Sequence, residues 1–230
     1  MSEAWEAAPV GRVARKRMEV RRRLLRAGFD MVGRRGLGDV AVADLTDAAD
    51  CSKGAFYSHF TSRDAFLAAL VDDAVETVGR ALDDYNAARP ADEALATGLR
   101  YTLTMALVQP AWGRFVASVA SSSPNPYAGF GTRLATDIER GRIDGVLRLD
   151  DPRAALLLAS GVFLAGVVGA SAGALLPDTP GEATRLVLRA FGTTDSRIDE
   201  LIASPLPVFS FVSQVVEPIG AEARSGSDRS

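Results

Sequence analysis

Residues 50–67 read Asp50-Cys51-Ser52-Lys53-Gly54-Ala55-Phe56-Tyr57-Ser58-His59-Phe60-Thr61-Ser62-Arg63-Asp64-Ala65-Phe66-Leu67. Asp50 and Cys51 form a tight turn, and Asp tolerates left-handed backbone better than most residues. Ser52 is a good N-cap for a short helix over 53–59, because its hydroxyl takes up a free amide of the first turn. Thr61 is expected to cap the next helix, with Asp64 as the acid of a capping box. Upstream, Val42, Leu45 and Ala49 share one face of a short helix over 40–49. Before that, a basic helix over 15–35 carries Leu24, Leu25, Ala27, Phe29, Met31 and Val32 on its apolar stripe and stops at Gly36 and Gly38. Three short helices, the second and third joined by a minimal turn, make a helix-turn-helix.

In such a unit the last helix lies in the major groove with its N-terminal end towards the bases. Here it carries Lys53 as a mobile cation, Gly54 and Ala55 as small residues that admit the DNA edge, and Tyr57, Ser58 and His59 as phosphate hydrogen-bonders. Phe56 and Phe60 point inward. Arg63, at the start of the following helix, is positioned to clasp a phosphate together with the free amides there. The charge distribution agrees. The whole chain of 230 residues has a net charge of -3, yet Arg12–Arg35 holds ten Lys and Arg against two acids. Residues 65–230 hold 14 basic and 20 acidic groups. A basic head on an acidic body suits backbone attraction to nucleic acid, and the run Arg21-Arg22-Arg23 adds to it.

The run Leu24-Leu25-Arg26-Ala27-Gly28-Phe29, then Gly36, Val42-Ala43-Asp44-Leu45 and Ser52 to Leu67 resembles the DNA-binding domain of the TetR family over about residues 15–70. The most specific part is Ser52-Lys53-Gly54, Tyr57, His59-Phe60 and Arg63. The departures are Ala41 and Ala55 where the family often has Thr, Asp50 for its Gly, Cys51 for its Val and Arg63 for its Lys. The resemblance implies an all-α chain: an N-terminal three-helix DNA-binding domain followed by a helical bundle that binds a ligand and dimerises. The expected boundaries are a flexible arm at 1–14, the helix-turn-helix at 15–62, the bundle at 63–220 and a disordered tail at 221–230. Candidate DNA-facing residues are Arg17, Ala41, Ser52, Lys53, Gly54, Ala55, Tyr57, Ser58, His59 and Arg63. The implied partners are double-stranded operator DNA of palindromic sequence, a second copy of the chain and a small-molecule effector. Repression is the commoner role in the family.

Beyond the head, a long helix carries Phe66, Leu67, Leu70, Val71, Ala74, Val78 and Leu82 to about Tyr85, long enough to link two domains. Further helices are predicted at 91–109, 111–121, 127–143, 152–175, 181–192, 196–203 and 206–217, with prolines at the joints. Tyr101, Met105, Trp112, Phe115, Tyr127, Phe130 and Phe163 are the candidate ligand-binding set, with Trp112 and Phe115 the favoured pair and an apolar or aromatic ligand the expectation. Leu158, Gly161, Ala165, Gly169 and Ala172 share one face of the 152–175 helix at steps of three or four. With Leu188 on the next helix they are the candidate dimer interface, which would set two recognition helices about 34–36 Å apart.

Other readings were weighed on the same residues. Ala154–Leu176 is 23 residues without a charge, long enough to span a bilayer, but its seven Ala and four Gly favour a helix buried in a soluble assembly. Gly169-Ala170-Ser171-Ala172-Gly173 spells the G-x-S-x-G of a serine hydrolase, which needs a preceding strand and a later histidine; the one histidine, His59, comes earlier. One His and one Cys make a transition-metal site unexpected, and no cofactor is implied. The lone Cys51 excludes an intrachain disulfide and, with no signal peptide read at the N-terminus, fits a cytoplasmic location. A DNA-binding regulator governed by a protein partner is the alternative, favoured by a solid core around Trp112 and Phe115.

Overall fold

The computed structural model describes residues 12–122, 129–210, 213–217 and 219, and these form helices and their connections with no strand. The expected arm before residue 12, Tyr127 and the tail at 221–230 lie outside the described residues.

The head begins with α1 (Arg12–Arg35), which stops where Gly36 takes a φ of +91°. Then come α2 (Val42–Ala48) and α3 (Lys53–His59), joined through Asp50 at φ +46°. The Cys51 amide donates to the Thr46 carbonyl and closes that turn. Ser52 caps α3 as expected, its hydroxyl oxygen accepting from the Ala55 amide at 3.1 Å. The next helix, α4 (Arg63–Val71), corrects the expectation for Thr61. Its cap is Ser62, whose side chain accepts from the Ala65 amide at 3.0 Å. Either hydroxyl satisfies the rule for a cap. Leu24, Leu25, Phe29, Leu45, Phe56, Phe60, Phe66 and Leu70 are all buried and form the head's core. Phe60 meets Phe66 edge-on with ring centroids 5.0 Å apart.

The chain runs from α4 into α5 (Thr77–Asn86) without a break, but the passage at Asp72–Glu76 is a widened turn. The Thr77 amide donates to the Asp72 carbonyl, five residues back rather than four. The body follows as α6 (Ala91–Val108), α7 (Pro110–Ser122), α8 (Phe130–Ile143), α9 (Pro152–Ser171), α10 (Thr179–Ala190) and α11 (Asp195–Ala203). Helices α6 and α9 lie at its centre: α7 and α8 pack on both, and α10 and α11 on α6. Asp151 caps α9 and Pro152 opens it, while Gly173 at φ +72° ends it short of residue 175. Head and body share one core, because α1 lies along α7. Phe29 stacks on Phe115 at 4.9 Å, and the Trp112 indole N–H donates to the Ala74 carbonyl in the widened turn at 3.0 Å.

The helix expected at 206–217 does not form in the described residues, which run in irregular conformation. The backbone beyond Pro207 finds partners on other helices instead. The Gln214 amide and the Ser213 hydroxyl both donate to the Asp73 carboxylate, at 2.8 and 2.7 Å. The Glu217 amide donates to Gln109 Oε1 at 3.3 Å and the Ile219 amide to the Tyr101 hydroxyl at 3.3 Å. Arg26 of the head donates to the Gln214 carbonyl, and Val216 is buried. This C-terminal segment therefore straps the head, the widened turn and α6 together.

Candidate nucleic-acid interface and ligand cleft

The head presents one continuous polar surface around the start of α2 and along α3. Ala41, Ser52, Lys53, Gly54, Tyr57 and Ser58 are exposed there, while Ala55 and His59 are half-buried. Tyr57 is 56% exposed, an unusual position for a tyrosine with no core role, and its ring meets Phe56 only edge-on. A Cβ on Gly54 would meet nothing closer than Ser52 Oγ at 3.7 Å, so the fold itself has room for a side chain there. What the glycine preserves is open space on the outer side. Arg17 of α1 donates to the Ser58 carbonyl at 3.1 Å and holds the end of α3. Burial, and then Arg17 and Arg21, push the His59 imidazole below its usual pKa. Of the arginine run, Arg22 pairs with Glu19 and Arg21 lies over the Phe60 ring, leaving both on the outside of α1.

Arg63 departs from its expected role as a phosphate clasp. Its guanidinium turns inward and donates to the carbonyls of Val40, Leu37 and Gly38 at 2.6, 2.7 and 2.8 Å. These carbonyls belong to the loop between α1 and α2, where no helix supplies donors. Arg63 is thus the staple of the helix-turn-helix, and its fork of donors explains why Arg suits the position.

The candidate ligand residues divide. Tyr101, Met105, Trp112 and Phe115 are fully buried: Trp112 is tied to the widened turn, Phe115 to Phe29, and Tyr101 to Phe209 and the C-terminal strap. The favoured pair Trp112 and Phe115 therefore belongs to the head–body joint. Phe130 and Phe163 do line a cleft, of about 40 Å³ and partly open to solvent, between α5, α6, α8 and α9. Leu82, Leu95, Leu99 and Leu134 supply the rest of its apolar wall. Asn86, Thr102, Arg133, Asp83 and Asp137 supply its polar groups.

The sequence reading missed these polar groups. Asn86 lies just past the helix end expected at about Tyr85, yet it is the last residue of α5 and is buried. Its side-chain oxygen has no hydrogen-bond partner among the described residues. Arg133 and Asp137, four apart on α8, interrupt an apolar stripe that includes Phe130 and Leu134; that interruption was the available signal. Arg133 bridges Glu76 of the widened turn at 3.0 Å and Asp83 of α5 at 2.9 Å. Its guanidinium lies flat across Gly79, where a Cβ would come within 2.3 Å of it. It lines both the cleft and a shallower depression outside it, so it stands at the mouth. Burial raises the pKa of Asp137, with Arg140 opposing the shift.

Helix α9 turns Ala155, Ala159, Phe163, Val167 and Ala170 into the body. It leaves Leu157, Leu158, Leu164 and Val168 exposed together with Gly161, Ala165 and Ala172, while Gly169 is half-buried against Leu175. Leu188 is 1% exposed and belongs to the subunit's own core, so it is withdrawn from the candidate interface; Leu186, 63% exposed, is the outward residue of α10. Among the described residues α9 alone has the length and hydropathy to cross a membrane, but one face is covered by the body. Ser171 lies in the last turn of α9 with no strand before it, and its hydroxyl donates to the Val168 carbonyl at 2.9 Å. The nucleophile-elbow geometry is absent there.

A helix-turn-helix head joined through a shared core to an all-helical body defines a class of DNA-binding regulators. Residues 24–70 match the family model for bacterial regulatory proteins of the tetR family. The HTH-type transcriptional repressor DhaR of Mycobacterium sp. (strain GP1) is 38% identical over 72 residues, which make up 30% of this chain and 36% of that relative. The similar stretch thus spans about a third of the curated relative it matches. The structure of RolR in complex with resorcinol superposes with a TM-score of 0.60 at 27% identity, covering 86% of this chain and all of that one. SmeT, the repressor of the Stenotrophomonas maltophilia multidrug efflux pump SmeDEF, superposes with a TM-score of 0.64 at 20% identity, over 82% of this chain and 100% of its own, and shows the shared fold. Over residues 24–70 the DNA-binding head is thus of the tetR-family kind.

Proposed function

We propose that this protein is a cytoplasmic transcriptional repressor that binds a palindromic operator as a homodimer and is released by a small apolar or aromatic ligand. The observation that carries the DNA reading is the outer face of α3. Lys53, Gly54, Tyr57 and Ser58 are exposed, and neither Tyr57 nor Gly54 has a packing role that explains it. The apolar stripe on α9 supports the dimer, since Leu157, Leu158, Leu164 and Val168 beside small residues give a partner helix a close approach.

The cleft between α5, α6, α8 and α9 supports a small-molecule effector over a protein partner. RolR, which holds resorcinol, lends weight to an aromatic ligand. The route from cleft to DNA is short. Arg133 ties the cleft mouth to Glu76, and Glu76 ends the widened turn from which α4 enters the head. A ligand that prefers one arrangement of this ion pair biases the head between two orientations, which is all that an effector has to do.

The test is selection of genomic fragments by the purified protein at a stated salt concentration, with Tyr57→Ala as control. The expected result is one palindromic site, lost in the variant. Weak, sequence-blind binding that Tyr57→Ala leaves unchanged would overturn the reading.

A further inference from the structure

We propose that the inner end of the cleft recognises a small, uncharged hydroxyaromatic molecule, with the Asn86 side-chain oxygen accepting a hydrogen bond from its hydroxyl. This rests on the cleft being the effector site and adds the chemical class that it takes.

Asn86 is 8% exposed, it lines the cleft, and its Oδ1 has no donor among the described residues. Buried acceptors are almost always paired, so an orphan at a cavity wall points to a donor that arrives from outside. The neighbouring walls are shaped for a ring. Phe130 and Phe163 stand 5.6 Å apart at 56°, which offers an incoming aromatic one edge and one face.

The charges around the cleft select for a neutral molecule. Glu76, Asp83 and Asp137 are acidic, and both nearby arginines are already engaged, Arg133 by Glu76 and Asp83, Arg140 by Asp137. A carboxylate entering this site meets three acids and no free cation among these groups. A phenol remains uncharged at neutral pH, since its pKa is about 10, as for tyrosine. It carries the donor that Asn86 lacks and keeps the ring that the two phenylalanines fit.

The experiment is calorimetric titration of the full chain, without DNA, with phenol, anisole and benzoate. Anisole has the same ring but its oxygen cannot donate. Phenol is expected to bind about five- to tenfold more tightly than anisole, as one net hydrogen bond implies. Benzoate is expected to bind weakest. Asn86→Leu should bring phenol down to the level of anisole. Equal binding of phenol and anisole to the unaltered protein, a preference for benzoate, or binding of none of the three would overturn the inference, and this series does not depend on any variant folding. Operator release is measured separately. Release by toluene with no phenol preference would leave the effector reading standing and remove this inference. The expected preference without any release would do the reverse.

Discussion

Replacing Arg63 separates a structural staple from a DNA contact. In Arg63→Ala three charge-assisted hydrogen bonds disappear, to the carbonyls of Val40, Leu37 and Gly38. Gly38 is exposed, so water takes over its carbonyl; Val40 is buried and Leu37 half-buried, and theirs are poorly replaced. Two effective bonds at about 1.5 kcal/mol each give a loss of about 3 kcal/mol. For a chain of this size that corresponds to a melting temperature lower by roughly 6–12 °C. Arg63→Lys keeps the charge but loses the fork, so it should retain less than half of the stabilisation. The assay pairs thermal unfolding with the salt dependence of operator binding. A phosphate contact contributes about 0.9 to the slope of log affinity against log salt. The staple predicts an unchanged slope in both variants and a large stability loss. A slope reduced by about 0.9 in Arg63→Ala, with Arg63→Lys as stable as the parent, would refute it.

Other outcomes follow from the joint and the strap. Gly79→Ala should cost about 1–3 kcal/mol in chemical denaturation, because its Cβ would displace the Arg133 guanidinium from Glu76 and Asp83; in an Arg133→Gln background most of that cost should vanish. Truncation after Ser210 removes the contacts of Ser213, Gln214, Val216 and Glu217 and should lower stability to urea by at least about 2 kcal/mol; an unchanged midpoint would mean that the strap holds nothing. His59 has a folded pKa below its ordinary 6.5, so the unfolded chain takes up the proton first. Stability should therefore rise with pH through the window from the lowered value up to 6.5, and fall as pH drops through it. His59→Gln should flatten that part of a melting-temperature profile.

The all-α class, the helix-turn-helix and the exposed polar face of α3 were legible in the sequence because they rest on local rules. Ser52 capped its helix, Asp50 took the left-handed turn, and Phe56 and Phe60 went inward, each from chemistry within a few residues. The same rules allowed Thr61 or Ser62 as the next cap and could not choose between them. They also allowed a helix at 206–217, since nothing nearby reveals that Asp73, Gln109 and Tyr101 offer competing partners from far along the chain.

The body's functional residues needed the tertiary structure for a related reason. An aromatic on a helix stripe looks the same whether it fills a core or lines a cleft, and only packing against other helices separates Trp112 and Phe115 from Phe130 and Phe163. A carbonyl without a donor in one loop drew Arg63 away from the surface. In one cleft the Asn86 side-chain oxygen is left without a donor among the described residues. By itself the sequence determined which helices form and which face of the head is polar, since capping, periodicity and charge act over a few residues. Tertiary structure alone decided which polar groups are satisfied and which are not, because a buried hydrogen bond depends on what the rest of the chain brings to it.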